Sequence, residues 1–337
     1  MLRRTTLWFC LPLFAACSGK PAAANEDALR APLGLESVQL VTAADNPLTL
    51  EKAELGKQLF FDARLSGTGK MSCSSCHLPE QAFTDGKAVS TKDSGKDNTR
   101  NSPTMYNTGY HDRLYWDGRE KTLESNVLAA WKGQIGGKPE EVATKLTAIA
   151  GYKTAFQAAF KADPNESTIV QALSSFLRSL RSGDSAYDRF QAGQKDALNE
   201  TQQKGMALFL GKAACMTCHT PPLFTNRLYH NVGIGMKAEK PDIGAAAKNA
   251  FDDEKKTGAF KTPTLRDISK TAPYFHDGGT KTLAEAVQIM SSGGLDNPHK
   301  DPLLADRKLS AEEQAQLVAF LEALTGNQKF VAPVLPN

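Results

Sequence analysis

Cysteine is scarce in this chain of 337 residues, which has six, and four of them fall in one pattern used twice. Long hydrophobic runs are scarcer still. The only one, Leu7 to Ala16, is too short to span a bilayer, so a membrane-spanning body is excluded. A charge excess is also lacking: 40 basic residues face 37 acidic ones, which excludes nucleic acid as the partner. Few segments alternate apolar and polar residues as half-buried strands do, so the fold class predicted is all-α.

What is present is Cys-x-x-Cys-His, once as Cys73, Cys76 and His77 and again as Cys215, Cys218 and His219. This is the attachment pattern of c-type haem: each cysteine pair adds to the two vinyl groups of one haem, and the histidine becomes the proximal iron ligand. A disulfide, a zinc site or a thioredoxin-like dithiol would not need a histidine directly after the second cysteine, let alone twice. Two covalently bound haems and redox chemistry are therefore expected.

Arg3 and Arg4 ahead of the apolar run have the shape of a secretory signal. The run ends Phe14-Ala15-Ala16-Cys17, which resembles a bacterial lipoprotein cleavage box, and Ser18 resembles the outer-membrane sorting choice. Residues 1–16 then read as a signal peptide, Cys17 as a lipidated anchor facing the periplasm, and 17–45 as a tether. The alternative is cleavage after Ala24, releasing a soluble periplasmic protein. Loss of residues 1–16 removes two arginines and no acid, leaving 38 basic against 37 acidic residues, so electrostatic steering must come from local patches.

The haem motifs lie 142 positions apart and share their surroundings. Gly56 to Phe61 precedes one and Gly205 to Leu210 the other; Phe83-Thr84-Asp85 and Phe224-Thr225-Asn226 follow. This predicts a duplicated unit: two cytochrome c-like haem domains with long loops, over 46–195 and 196–330. Leu173, Phe176, Leu177 and Leu180 keep the spacing of one buried helix face, as do Leu317, Phe320, Leu321 and Leu324. Thr282 with Glu285 and Ser310 with Glu313 read as capping boxes. Residues 236–260 read as a solvated loop.

The sixth iron position decides between electron transfer and chemistry. For the second haem Met290, in the helix after Thr282, is the candidate and Met236 its competitor.

Four further blocks carry a family resemblance: Arg100-Asn101-Ser102-Pro103-Thr104, Tyr115-Trp116-Asp117-Gly118-Arg119, Thr262-Pro263-Thr264-Leu265-Arg266-Asp267, and Thr271-Ala272-Pro273-Tyr274-Phe275-His276-Asp277-Gly278. In this order they resemble the bacterial dihaem cytochrome c peroxidases and the related MauG enzymes, over most of residues 50–325. The resemblance implies that Met290, nineteen positions after Thr271, ligates a high-potential C-terminal haem. It implies a calcium ion held by Asn101 and the backbone of Thr271 and Pro273, and places Trp116 between the haems. Trp131 acquires no role. It also implies hydrogen peroxide as substrate, a small cytochrome c or cupredoxin as electron donor, and a homodimer.

The chain departs from that family twice. Asp93 stands where the peroxidases have a distal histidine, so the His77 haem is expected to be open, an aspect shared with MauG; His111, the nearby replacement ligand, reads as a surface residue. The family's catalytic glutamate falls in Trp131 to Gly137, where no acid is present. Gln134 matches it with a small gap and Gly136 without one, and Asn126 takes the place of a companion glutamine. A neutral amide bonds but does not shuttle protons as a carboxylate does, which leaves Glu140 or Glu141, water, or slow turnover. The leading expectation is a dihaem peroxidase. A MauG-like enzyme oxidising a partner protein and a dihaem electron carrier without catalysis are the alternatives.

Overall fold

A computed structural model describes residues 29–337. The signal, the cleavage sites and Cys17 lie outside the described residues. The described chain is mostly helical: α1 Leu50–Phe61, α2 Leu123–Gly133, α3 Pro139–Thr147, α4 Ala150–Phe160, α5 Glu166–Ser179, α6 Ala186–Gln191, α7 Glu200–Leu210, α8 Leu283–Ser291 and α9 Ala311–Glu322. Among these residues one antiparallel pair of two-residue strands occurs, β1 Tyr229–His230 against β2 Phe260–Lys261. The expected capping boxes start α8 at Thr282 and α9 at Ser310, each satisfying free N–H groups of the first turn.

Each half of the chain is built on one helix crossing. In the first, α1 crosses α5; in the second, α7 crosses α9. Glycine makes both crossings close. A Cβ at Gly56 would lie 1.9 Å from the Ala172 carbonyl oxygen, and one at Gly205 would lie 1.9 Å from that of Gln316. The aromatic packing repeats as well, Phe60 meeting Phe176 at 5.1 Å between ring centroids and Phe209 meeting Phe320 at 5.2 Å. The two predicted helix faces are buried in these cores.

Three features break the symmetry. The helices α3 and α4 have no counterpart in the second half. The C-terminal tail returns to the first core, where Phe330 stacks on Phe61. Helix α6 joins the second core through Tyr187, which meets Phe224 and Phe320, and the fully buried Asp188 and Arg266 pair through two 2.8 Å hydrogen bonds.

The tether reading needs correction over its described part. Residues 32–46 run across the body, with Leu35 fully buried. The Val41 N–H donates to the Gly109 carbonyl at 2.8 Å, and the Arg178 guanidinium donates to the Val41 carbonyl at 2.9 Å. Asn46, also fully buried, donates to Glu124, which in turn takes two bonds from Arg178. Residues 236–260 likewise pack rather than float: Ala245 and Ala259 are buried, and Asp242 accepts two bonds from Arg100 in the first half.

Alanine outranks glycine in helix propensity by about 1 kcal/mol, so a simple helix would gain from Gly205→Ala. The crossing reverses the sign. This change should destabilise the protein by about 1–3 kcal/mol through overpacking, read as a lower urea midpoint; an unchanged or raised midpoint would show that the helices do not meet at this residue.

Candidate functional site

One cavity of about 760 Å³ runs between the two halves and is lined by both Cys-x-x-Cys-His motifs. Each motif forms a single 3-10 turn, Cys73–Ser75 or Cys215–Thr217, with the histidine just beyond it. The four cysteines are unbonded. Burial pushes the Cys73 thiol up to about 12 and that of Cys215 up to about 11, which keeps both protonated rather than as reactive thiolates.

Both histidines are fixed in the same way. His77 Nδ1 lies 2.8 Å from the Phe83 carbonyl oxygen and His219 Nδ1 lies 3.0 Å from that of Phe224. A carbonyl only accepts, so the proton sits on Nδ1 and Nε2 is left as the free metal ligand. Phe83 and Phe224 hold left-handed backbone conformations, φ +60° and +54°, which aim these carbonyls at the rings. The preceding carbonyls, of Ala82 and Leu223, accept from the hydroxyls of Thr104 and Thr264 at 2.6 and 2.7 Å. Burial lowers both imidazoles, His219 to about 4, so each is neutral as a ligand must be. Cavity, thiols and imidazoles fit two c-type haems.

Met290, Trp116, Asn126 and Gln134 all line this cavity, as do Asn101, Thr271 and Pro273. Met236 is not among the lining residues; its sulfur lies against Gly258 instead. Trp116 bridges the halves. Its indole N–H donates to the Asn101 carbonyl at 2.9 Å, while its own carbonyl accepts from Lys261 N–H at 2.8 Å. Asn101 N–H returns to the other half through the His276 carbonyl at 2.7 Å. The Asn101 amide donates to the Lys87 and Ala88 carbonyls, which leaves Oδ1 as an acceptor. Among the described residues no cluster of three or more His, Cys, Asp or Glu side chains could hold a further metal.

Gln134 Oε1 is buried without a hydrogen-bond partner. Its backbone is pinned from outside the cavity: Asp93 N–H donates to the Gln134 carbonyl at 2.9 Å, and Gly67 N–H to that of Ile135 at 2.8 Å. The Asp93 carboxylate accepts from Thr68 N–H at 2.9 Å and from the Thr68 hydroxyl at 2.5 Å. Asp93 thus lies in a pinned loop rather than a flexible one.

Two expectations are overturned. His111 is buried, not a surface residue; it lines the cavity, its Nδ1 has no partner, and burial holds its pKa well below the usual value. Glu140 and Glu141 are exposed in the first turn of α3 and do not reach the cavity, so neither replaces the missing base. Asp117 and Asp301 do line it, but Asp117 is paired with Arg100 and Arg119, and Asp301 with His230 at 2.6 Å. Sequence reasoning missed the interlocking of Asn101, Lys261 and His276, although the similar blocks around these residues were a usable signal.

Comparison with known proteins agrees with this site. Residues 50–196 match the family model of the di-haem cytochrome c peroxidases. The chain is 36% identical over 298 residues to the methylamine utilization protein MauG of Methylophilus methylotrophus, covering 87% of this chain and 88% of that protein. It is 35% identical to cytochrome-c peroxidase IdrP1 of Denitromonas iodatirespirans, over 97% and 95% of the two chains. A solved MauG-like protein associated with microbial copper homeostasis superposes with a TM-score of 0.78 at 35% identity, covering 86% of this chain and 93% of that one.

Proposed function

Because the chain belongs to the di-haem cytochrome c peroxidase family, which includes MauG, we propose that it reduces hydrogen peroxide to water with electrons from a small periplasmic cytochrome c or cupredoxin. Two electrons and two protons are consumed for each peroxide, giving two waters. When bound, the haems supply an electron store at His219 and a peroxide-binding iron at His77.

The observation that carries this reading is the inequality of the two cavity walls. Met290 gives the His219 side a thioether, which suits a closed high-potential relay. The corresponding wall on the His77 side carries the amides of Asn126 and Gln134. The unpartnered Oε1 of Gln134 would accept from the O–H of a bound peroxide, and Asn126 would supply a second amide. Trp116 offers the polarisable path between the halves. The free Asn101 Oδ1 with the carbonyls of Thr271 and Pro273 would give calcium the hard oxygen ligands it prefers, completed by water.

Among the described residues every carboxylate that lines the cavity is paired, which favours a second reading. Amides and water move protons less readily than a carboxylate does, so oxidising equivalents would persist long enough to act on a partner protein, as in MauG.

Mixing half-reduced protein with stoichiometric peroxide and reduced cytochrome c separates these readings. Rapid oxidation of the donor is expected. A long-lived oxidised species with slow donor turnover would favour the partner-protein reading, and no spectral response would sink both, leaving a plain electron carrier. Gln134→Leu should cut kcat/KM for peroxide by roughly 100-fold without altering the Met290 side; an unchanged value would remove Gln134 from the site.

An outer-membrane anchor at Cys17 completes the proposal. No helix among the described residues is long and apolar enough to cross a membrane. Cys17→Ser should move the protein from the membrane fraction to the soluble periplasm, and an unchanged distribution would exclude the anchor.

A further inference from the structure

The duplication is most regular where the two walls differ. From Ser102 to Gln134 the first half repeats in the second at a constant separation of 160 positions. Pro103 and Thr104 correspond to Pro263 and Thr264, and the isolated bridge Leu114–Glu120 corresponds to Tyr274–Thr280. Tyr115 and Phe275 share left-handed conformations, φ +63° and +65°. Thr122 caps α2 as Thr282 caps α8. The cavity-lining positions of these helices then coincide: Asn126 with Ala286, Val127 with Val287, and Ala130 with Met290. Beyond the helices, Gln134 corresponds to Gly294.

We propose that Ala130 occupies the ligand position of the His77 side, and that its methyl group, where the other half has a thioether, keeps the sixth position of that iron free for a small anionic or peroxidic ligand. The inference rests on the reading that haems are held at His77 and at His219 with Met290. Asn126 and Gln134 lie four residues before and after Ala130, flanking the vacated position with amides. Met105 is the other thioether among the described lining residues. It corresponds to Leu265 and follows Pro103 and Thr104, the segment packed against the proximal turn, so it lies on the opposite face. Openness is then set by the length of one side chain rather than by movement of a loop. The loop carrying Asp93 is in any case tied to Thr68 and Gln134.

The test uses ferric, two-haem protein and reads spin state and azide binding instead of turnover. Ala130→Met should convert the high-spin component to a second low-spin one and weaken azide binding at least about tenfold, since the competent fraction falls below a tenth. Ala130→Leu fills the same space without a ligand. It should obstruct azide while the iron stays high-spin, which separates ligation from bulk. If Ala130→Met leaves both the high-spin signal and the azide affinity as in the wild type, Ala130 does not face the iron and the proposal fails. The peroxidase reading, judged by donor oxidation in the wild type, would survive that result. If the methionine variant does not fold, the leucine variant decides: obstructed azide binding supports the proposal, and wild-type binding overturns it. Loss of a wild-type low-spin signal in His111→Ala would also overturn it, because the sixth position would then already be filled.

Discussion

A hydrogen bond from imidazole to backbone carbonyl organises both halves of this protein. His77 donates from Nδ1 to Phe83 and His219 donates from Nδ1 to Phe224, and each bond fixes the tautomer, the ring plane and the nitrogen left for iron. Neither carbonyl would point inward without a left-handed phenylalanine, and neither phenylalanine would hold that conformation without its surroundings. Phe83 packs on Phe60, and Phe224 on Phe209 and Phe320. These rings come from the helices that cross at Gly56 and Gly205, so the crossing, the turn and the metal ligand form one chain of dependence.

On this symmetric frame the asymmetry is local and chemical. The scaffold repeats the cap, the bridge and the helix of the distal wall, then exchanges the residues that face the cavity. A thioether and an alanine on one side become a methyl and an amide on the other. The halves are joined by backbone bonds, Lys261 N–H to the Trp116 carbonyl and Asn101 N–H to the His276 carbonyl, and by the ion pair of Arg100 with Asp242. The halves thus differ in a few cavity-facing side chains and share the geometry of their backbone.

Much of this was legible from short-range pattern. The capping boxes at Thr282 and Ser310 and the two apolar helix faces depend on residues within a few positions of each other and appear as read, and the two Cys-x-x-Cys-His motifs line one cavity. The segment 32–46 was not legible. It holds Leu33, Leu35, Val38, Leu40 and Val41, but they keep neither helix nor strand spacing along its length and its partners Gly109, Glu124 and Arg178 are distant in sequence, so nothing local marks it as packed. His111 misleads for a similar reason: it is polar and flanked by Asp112 and Arg113, yet packing of the two halves buries it. The 160-residue repeat was hidden because extra chain between Thr225 and Phe260 shifts it away from the 142-residue spacing of the haem motifs. Comparing Trp116-Asp117-Gly118 with His276-Asp277-Gly278 would have exposed it.

The central claim is that one haem is closed by Met290 and the other is open. The electron paramagnetic resonance spectrum of the fully oxidised wild-type protein tests it most directly. The account predicts one high-spin ferric signal and one low-spin signal in equal amounts. Two low-spin signals would contradict an open His77 site, and two high-spin signals would contradict ligation by Met290.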